Sequence, residues 1–244
     1  MTGARLEVCV DTIAGFHAAV AGGADRVELC AALDLGGLTP TPGLIAAARG
    51  LAIPVRCMIR PRAGDFCFSR AEVDQMKADI DAVNAAGLAG IVLGAATPGG
   101  QLDVAVLQEL RNHANQLGAT LHRVIDTVPD RLTLVETAVT LGFDTVLSSG
   151  GAGRAIDACP ALGDMVKVAN GRLDIMPGSG VGAENGLEIL RATGAKWLHS
   201  SCSAGVKMPS KLVEKGFCPV SMAQTNTGKT SALADICHGF SVKE

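Results

Sequence analysis

Eight short apolar runs of strand character alternate along this chain with Ala-, Leu- and Val-rich stretches of helical spacing, and that alternation leaves few folds open. The strand-like runs fall at 6–10, 26–30, 54–60, 90–93, 119–124, 145–148, 173–176 and 196–199. Helical stretches lie between them at 12–21, 44–49, 69–86, 102–117, 131–141, 156–169 and 183–192. Ser69 followed by Glu72 has the pattern of a capping box, and Gly87, Gly118, Gly142 and Gly194 stand where left-handed residues would end helices. Strands that alternate with helices are parallel, and eight of them close most naturally into a barrel. The expected fold is therefore α/β: a single TIM-type (β/α)8 barrel domain over 1–244. In it, an irregular C-terminal extension, 201–244, supplies the last helix through 231–238.

Composition narrows the partners. Apolar residues make up 48% of the 244 and charged ones 18%, enough for a large core, while a net charge of -3 gives neither a basic nucleic-acid footprint nor an acidic tail. No run of eighteen apolar residues occurs, and Arg5, Glu7 and Asp11 stand where a signal peptide would be apolar. A cytoplasmic protein with no membrane or nucleic-acid partner is expected. Eight cysteines are scattered without a CxxC pair or a Cys/His zinc spacing, so they read as reduced thiols. The tail from Ser201 is the candidate surface for a homo-oligomer.

Functional groups of such barrels sit at the carboxyl ends of the strands. The first two strands carry near-identical tetrapeptides, Leu6-Glu7-Val8-Cys9 and Val27-Glu28-Leu29-Cys30. Period-two alternation puts Glu7, Cys9, Glu28 and Cys30 on one face, with Arg56 and Arg60 of the third strand pointing the same way. Buried carboxylates need partners, so Glu7 and Glu28 are expected to pair with these arginines. Adjacent strands lie about 4.8 Å apart, and thiols at matching heights could grip one soft ion such as Cu(I). A buried Cys is as often a small hydrophobe, so the pair alone does not decide.

Other strand ends add an anion-binding character. Arg60 and Arg62 flank Pro61; His122 and Arg123, with Asp126 in reach, form a candidate acid/base and anion-clamp group; His199 and Ser200 close the eighth strand. Turns containing Ser149 and Gly150, and Gly178 and Gly180, can offer backbone N–H groups to a phosphate, although tight turns need glycine in any case. Glu7, Glu28, Arg60, His122, Arg123 and Asp126 are thus catalytic candidates, and Arg62, Ser149, Gly150, Gly178, Gly180, His199 and Ser200 ligand-binding ones.

The strings Gly23 to Cys30 (GADRVELC), Gly36-Gly37-Leu38-Thr39-Pro40, Ile59 to Phe66 (IRPRAGDF), His122-Arg123 and Val146-Leu147-Ser148-Ser149-Gly150 together resemble the CutC copper homeostasis proteins, in order through all eight strands. The resemblance implies a cytosolic TIM barrel associated with copper tolerance, Cys9 and Cys30 matching the cysteines expected to hold Cu(I). It also implies a polar pocket lined by Glu7, Glu28, Arg60, His122 and Arg123, without an agreed reaction. The family's usual Phe-His-Arg-Ala-Phe-Asp is here Leu121-His122-Arg123-Val124-Ile125-Asp126, and Phe68 stands where Tyr is common. Two functions follow as expectations: a Cu(I)-binding homeostasis protein, or a TIM-barrel enzyme acting on a small anionic or phosphorylated metabolite.

Overall fold

The computed structural model describes residues 3–241; residues 1, 2 and 242–244 of the expected domain lie outside the described ones. Eight strands form one parallel sheet: β1 (Arg5–Val10), β2 (Arg26–Leu29), β3 (Val55–Met58), β4 (Gly90–Leu93), β5 (Gly118–Leu121), β6 (Thr145–Ser148), β7 (Asp174–Pro177) and β8 (Trp197–Ser200). Their order is β7-β6-β5-β4-β3-β2-β1-β8, so β7 and β8 are the two ends of the ladder. These two strands lie side by side without a ladder between them among the described residues, and the barrel is closed except at that seam. Both faces of the strands are covered, which is why β4 reads Gly-Ile-Val-Leu and β2 is buried throughout.

Seven helices of the outer ring follow the strands in turn: α1 (Ile13–Ala21), α2 (Pro42–Ala47), α3 (Arg70–Ala85), α4 (Val104–Ala114), α5 (Arg131–Thr140), α6 (Cys159–Ala169) and α7 (Gly186–Thr193). The capping box forms as expected: Glu72 N donates to Ser69 Oγ (3.3 Å) and Ser69 N to Glu72 Oε2 (2.7 Å). Gly118 does not end a helix. Asn115, at φ +49°, takes the left-handed position after α4, and Gly118 opens β5. A Cβ there would lie 2.8 Å from Arg56 Nη2, so the glycine makes room for a guanidinium.

The tail holds more regular structure than expected. Residues β9 (Ser203–Lys207) and β10 (Ser221–Thr225) pair antiparallel around the short helix α8 (Ser210–Glu214), and α9 (Thr227–Gly239) returns to the barrel as its eighth helix, longer than the predicted 231–238. Leu233, Ala234 and Cys237 on α9 are buried, and Ala4 N donates to Phe240 O across the join (3.3 Å).

Candidate functional site

Register decides what the twin tetrapeptides can do. β1 and β2 pair with Glu7 beside Arg26 and Cys9 beside Glu28, while β1 and β8 pair with Glu7 beside His199. The two strings are therefore staggered by two residues. Cys9 and Cys30 share a face but stand one layer apart, which corrects the expectation of matching heights: Cys9 is level with the Glu28 carboxylate, and Cys30 lies beyond it.

The expected pairing of Glu7 and Glu28 with third-strand arginines is also overturned. Glu7 is fully buried and held by Arg26 Nε from one side and His199 Nδ1 from the other (2.9 Å). Arg26 is itself packed over the Trp197 ring, 4.1 Å from its centroid, with Nη2 3.6 Å from Met176 Sδ. Arg56 runs instead beneath β4 and β5 to Asp144, Nη1 to Oδ1 at 2.7 Å and Nη2 to Oδ2 at 2.9 Å, and also donates to Thr120 Oγ1 (2.7 Å). Sequence reading missed Arg26, Trp197 and Asp144. For Arg26 a signal existed, since it shares parity with Glu28; Asp144 reaches Arg56 through a register that only the closed barrel fixes.

His199 joins the two layers. Its Nδ1 faces Glu7, and its Nε2 lies 3.6 Å from Glu28 Oε2, so one imidazole spans both carboxylates. Burial opposes a charge on this ring, but Cys9, Glu28 and Glu7 around it keep its pKa well above the ordinary imidazole value. Burial likewise works against ionised Glu7, yet Arg26 and His199 hold its carboxyl down to about 2. For Glu28 burial prevails over His199, with Glu7 adding to it, and its pKa rises to about 7. Cys30 is pushed well above the usual thiol value by burial and by the nearby Glu28 and Cys9. Donor atoms of Cys9, Glu28 and His199 all lie within 4.8 Å of one another, and Glu28 Oε1 has no hydrogen-bond partner among the described residues.

Above this cluster opens a cavity of 460 Å³ at the carboxyl ends of the strands. Of the residues singled out in the sequence, Cys9, Glu28, Arg60, His122, Arg123, Gly180, His199 and Ser200 line it; Glu7, Cys30, Arg62, Asp126, Ser149, Gly150 and Gly178 do not. Arg62 is turned to Glu72 and to Asp65 (2.9 Å). Asp126 receives Arg123 Nε (2.9 Å), Ser148 Oγ (2.5 Å) and the backbone N–H groups of Ser149 (2.9 Å) and Gly151 (3.2 Å). It ties down the turn after β6 and takes up the Arg123 charge. Gly178 backs His199: a Cβ there would lie 3.3 Å from His199 Cβ.

His122 is held within its own turn, and its Nε2 has no hydrogen-bond partner among the described residues. Its Nδ1 accepts from Val124 N (3.2 Å) to cap the 3-10 turn Arg123–Thr127, and its ring lies against Phe66, centroids 4.9 Å apart. Burial, with Arg60 nearby, lowers its pKa to about 3, so the imidazole stays neutral with its proton on Nε2. Arg60 donates to three carbonyls, Leu35 O (3.0 Å), Gly37 O (3.2 Å) and Gly64 O (2.9 Å), stitching the rims after β2 and β3 together.

Comparison with known proteins agrees with this architecture. The sequence model of the CutC family matches residues 4–204. The family protein CutC of Sinorhizobium medicae is 49% identical over 229 residues, 93% of this chain and 94% of that protein. That of Caulobacter vibrioides is 50% identical over 224 residues, covering 91% of each. Among solved structures, one described as the copper homeostasis protein CutC of Streptococcus agalactiae superposes with a TM-score of 0.78 at 30% identity, over 81% of this chain and 98% of that one. Strand order, the paired Glu-x-Cys strings and these likenesses together establish that the chain belongs to the CutC family.

Proposed function

We propose that the protein is a cytoplasmic copper homeostasis protein that takes up one Cu(I) as cargo at the floor of the barrel mouth. The convergence of Cys9, Glu28 and His199 within 4.8 Å carries this reading. Thiolate and imidazole suit copper, and the unpartnered Glu28 Oε1 is the kind of buried oxygen that a bound cation compensates. With β1 and β2 staggered, Cys9 is the central sulfur in this reading, His199 reaches it from the Glu7 layer, and Cys30 is the second thiol from the layer beyond. Reduced thiols of this kind persist in the cytoplasm.

Anaerobic titration of the reduced protein against a chromogenic Cu(I) chelator tests the reading. One Cu(I) per chain is expected, weakened about 100-fold or more, some 2.7 kcal/mol, in Cys9→Ser. His199→Asn and Cys30→Ser then report which second donor matters. A Cys9→Ser, Cys30→Ser double variant that binds Cu(I) as tightly as the parent would end the idea.

A further inference from the structure

A metal ion at Cys9 leaves nearly all of the 460 Å³ cavity unexplained. That volume is in the range of small-molecule sites, and its walls combine apolar side chains, Leu33, Leu35, Met58, Phe66 and Leu147, with a few polar groups. Charge tells what it would take. Arg123 is neutralised by Asp126, and Glu28 faces His199. Arg60 alone among the lining cations has no acidic partner among the described residues: it donates to three carbonyl oxygens and lies over the Phe66 ring (4.8 Å), is 6% exposed, and its Nε is unsatisfied. A buried, unpaired guanidinium is costly, and an anion in the cavity would offset that cost.

The opposite wall supplies a second anion-seeking feature. Ser179, Gly180 and Val181, in the turn after β7, line the same cavity. Ser179 has φ +81° and Gly180 φ +65°, and the backbone N–H groups of all three residues have no acceptor among the described residues. Successive free N–H groups in a turn form an anion-binding concavity, suited to the several oxygens of a phosphoryl group. Ser179 keeps its uncommon backbone with help from neighbours: its Oγ donates to Gly153 O (2.7 Å) and its own carbonyl accepts from Ala155 N (3.0 Å). β3 and β7 stand four strands apart in the barrel order, so Arg60 and this turn face each other across the mouth.

We infer that the cavity binds a small phosphorylated metabolite, its phosphoryl group on the N–H groups of Ser179, Gly180 and Val181 and its other polar end facing Arg60. The apolar wall between them would cover the carbon skeleton. Cys9, Glu28 and His199 line the same cavity, but the metabolite would be held by other residues, so this reading stands or falls without copper.

The test is a thermal-shift and calorimetric series on protein freed of metal by dialysis. Its probes are phosphoenolpyruvate, glycerol 3-phosphate, ribose 5-phosphate and inorganic phosphate, with glycerol and ribose as uncharged counterparts. At least one phosphorylated probe should raise the melting temperature, and the uncharged counterparts should not. Ser179→Asn and Ser179→Asp have the same shape and both tolerate a left-handed backbone; they differ in charge, and only Asn keeps a side-chain donor for Gly153 O. Asp should bind at least about tenfold more weakly than Asn, since a like charge now faces the phosphoryl group. Arg60→Gln should weaken the probe by a similar factor. The inference is overturned if no phosphorylated probe shifts the parent, or if Ser179→Asp responds as Ser179→Asn does. Because copper is absent throughout, the outcome is independent of the Cu(I) titration.

Discussion

His122 shows how position in the fold changes what one residue can do. At a strand end beside an arginine it reads as a proton carrier, but its Nδ1 is committed to Val124 N and its pKa is near 3. The sign of its contribution follows. Below about pH 6.5 the unfolded chain binds a proton at this histidine that the native chain refuses, so stability falls as pH falls, by up to about 1.4 kcal/mol per pH unit. Glu28, raised to about 7, gives an opposing slope between pH 7 and 4.5, and Glu7 adds its own loss only below about 4.5. His122→Asn isolates the effect. Urea unfolding between pH 6 and 5 should show the variant losing less stability than the parent, by about 1 kcal/mol per pH unit; parallel curves would mean that the ring is not held neutral. Alternation along a strand reveals which face a residue takes, and so found Glu7, Cys9, Glu28, Arg60 and His122. It carries no information on height, and so could not reveal that Cys9 meets Glu28 before it meets Cys30.

Elements follow local rules closely and cross-barrel contacts do not. All eight strands and the helices between them were legible from period and caps, because each depends on residues within a turn or two. Where β3 is joined to β6, the cause lies outside any window: Arg56 reaches Asp144 past Gly118 on β5, whose missing side chain leaves room for the guanidinium. A Cβ on Gly118 would stand 2.8 Å from Arg56 Nη2 and 3.1 Å from Asp144 Oδ2. Gly118→Ala is therefore expected to push the guanidinium off its carboxylate and cost about 1–3 kcal/mol. Chemical denaturation measures this, and Arg56→Met in the same background supplies the check. If crowding of the guanidinium is the cause, the second substitution recovers part of the loss; an undiminished loss would place the strain elsewhere.

For the whole molecule, the family match and the physical barrel end at different places. The match stops at residue 204, yet the segment beyond it includes α9, which packs on β1, α1 and α7. The intervening hairpin is a surface feature by comparison, with Phe217 79% exposed and Val220 63% exposed. This division was only half visible in the sequence: the apolar spacing of 231–238 marked a helix, but Gly-, Ser- and Lys-containing residues before it concealed β9 and β10, whose short strands have little apolar alternation. We infer that α9 is as necessary to the barrel as any helix inside the family match. Leu233 is the place to measure it, being fully buried and close enough to β8 that a Cβ added at Gly186 would meet Leu233 Cδ1 at 2.6 Å and Leu198 Cδ1 at 3.3 Å. Leu233→Ala should lower stability by about 2–5 kcal/mol, as cavity-forming changes in a core do, whereas Phe217→Ser should change it by no more than about 0.5 kcal/mol. Equal small losses in urea unfolding would show that the barrel is complete without its last helix, and that the segment after β8 is an appendage.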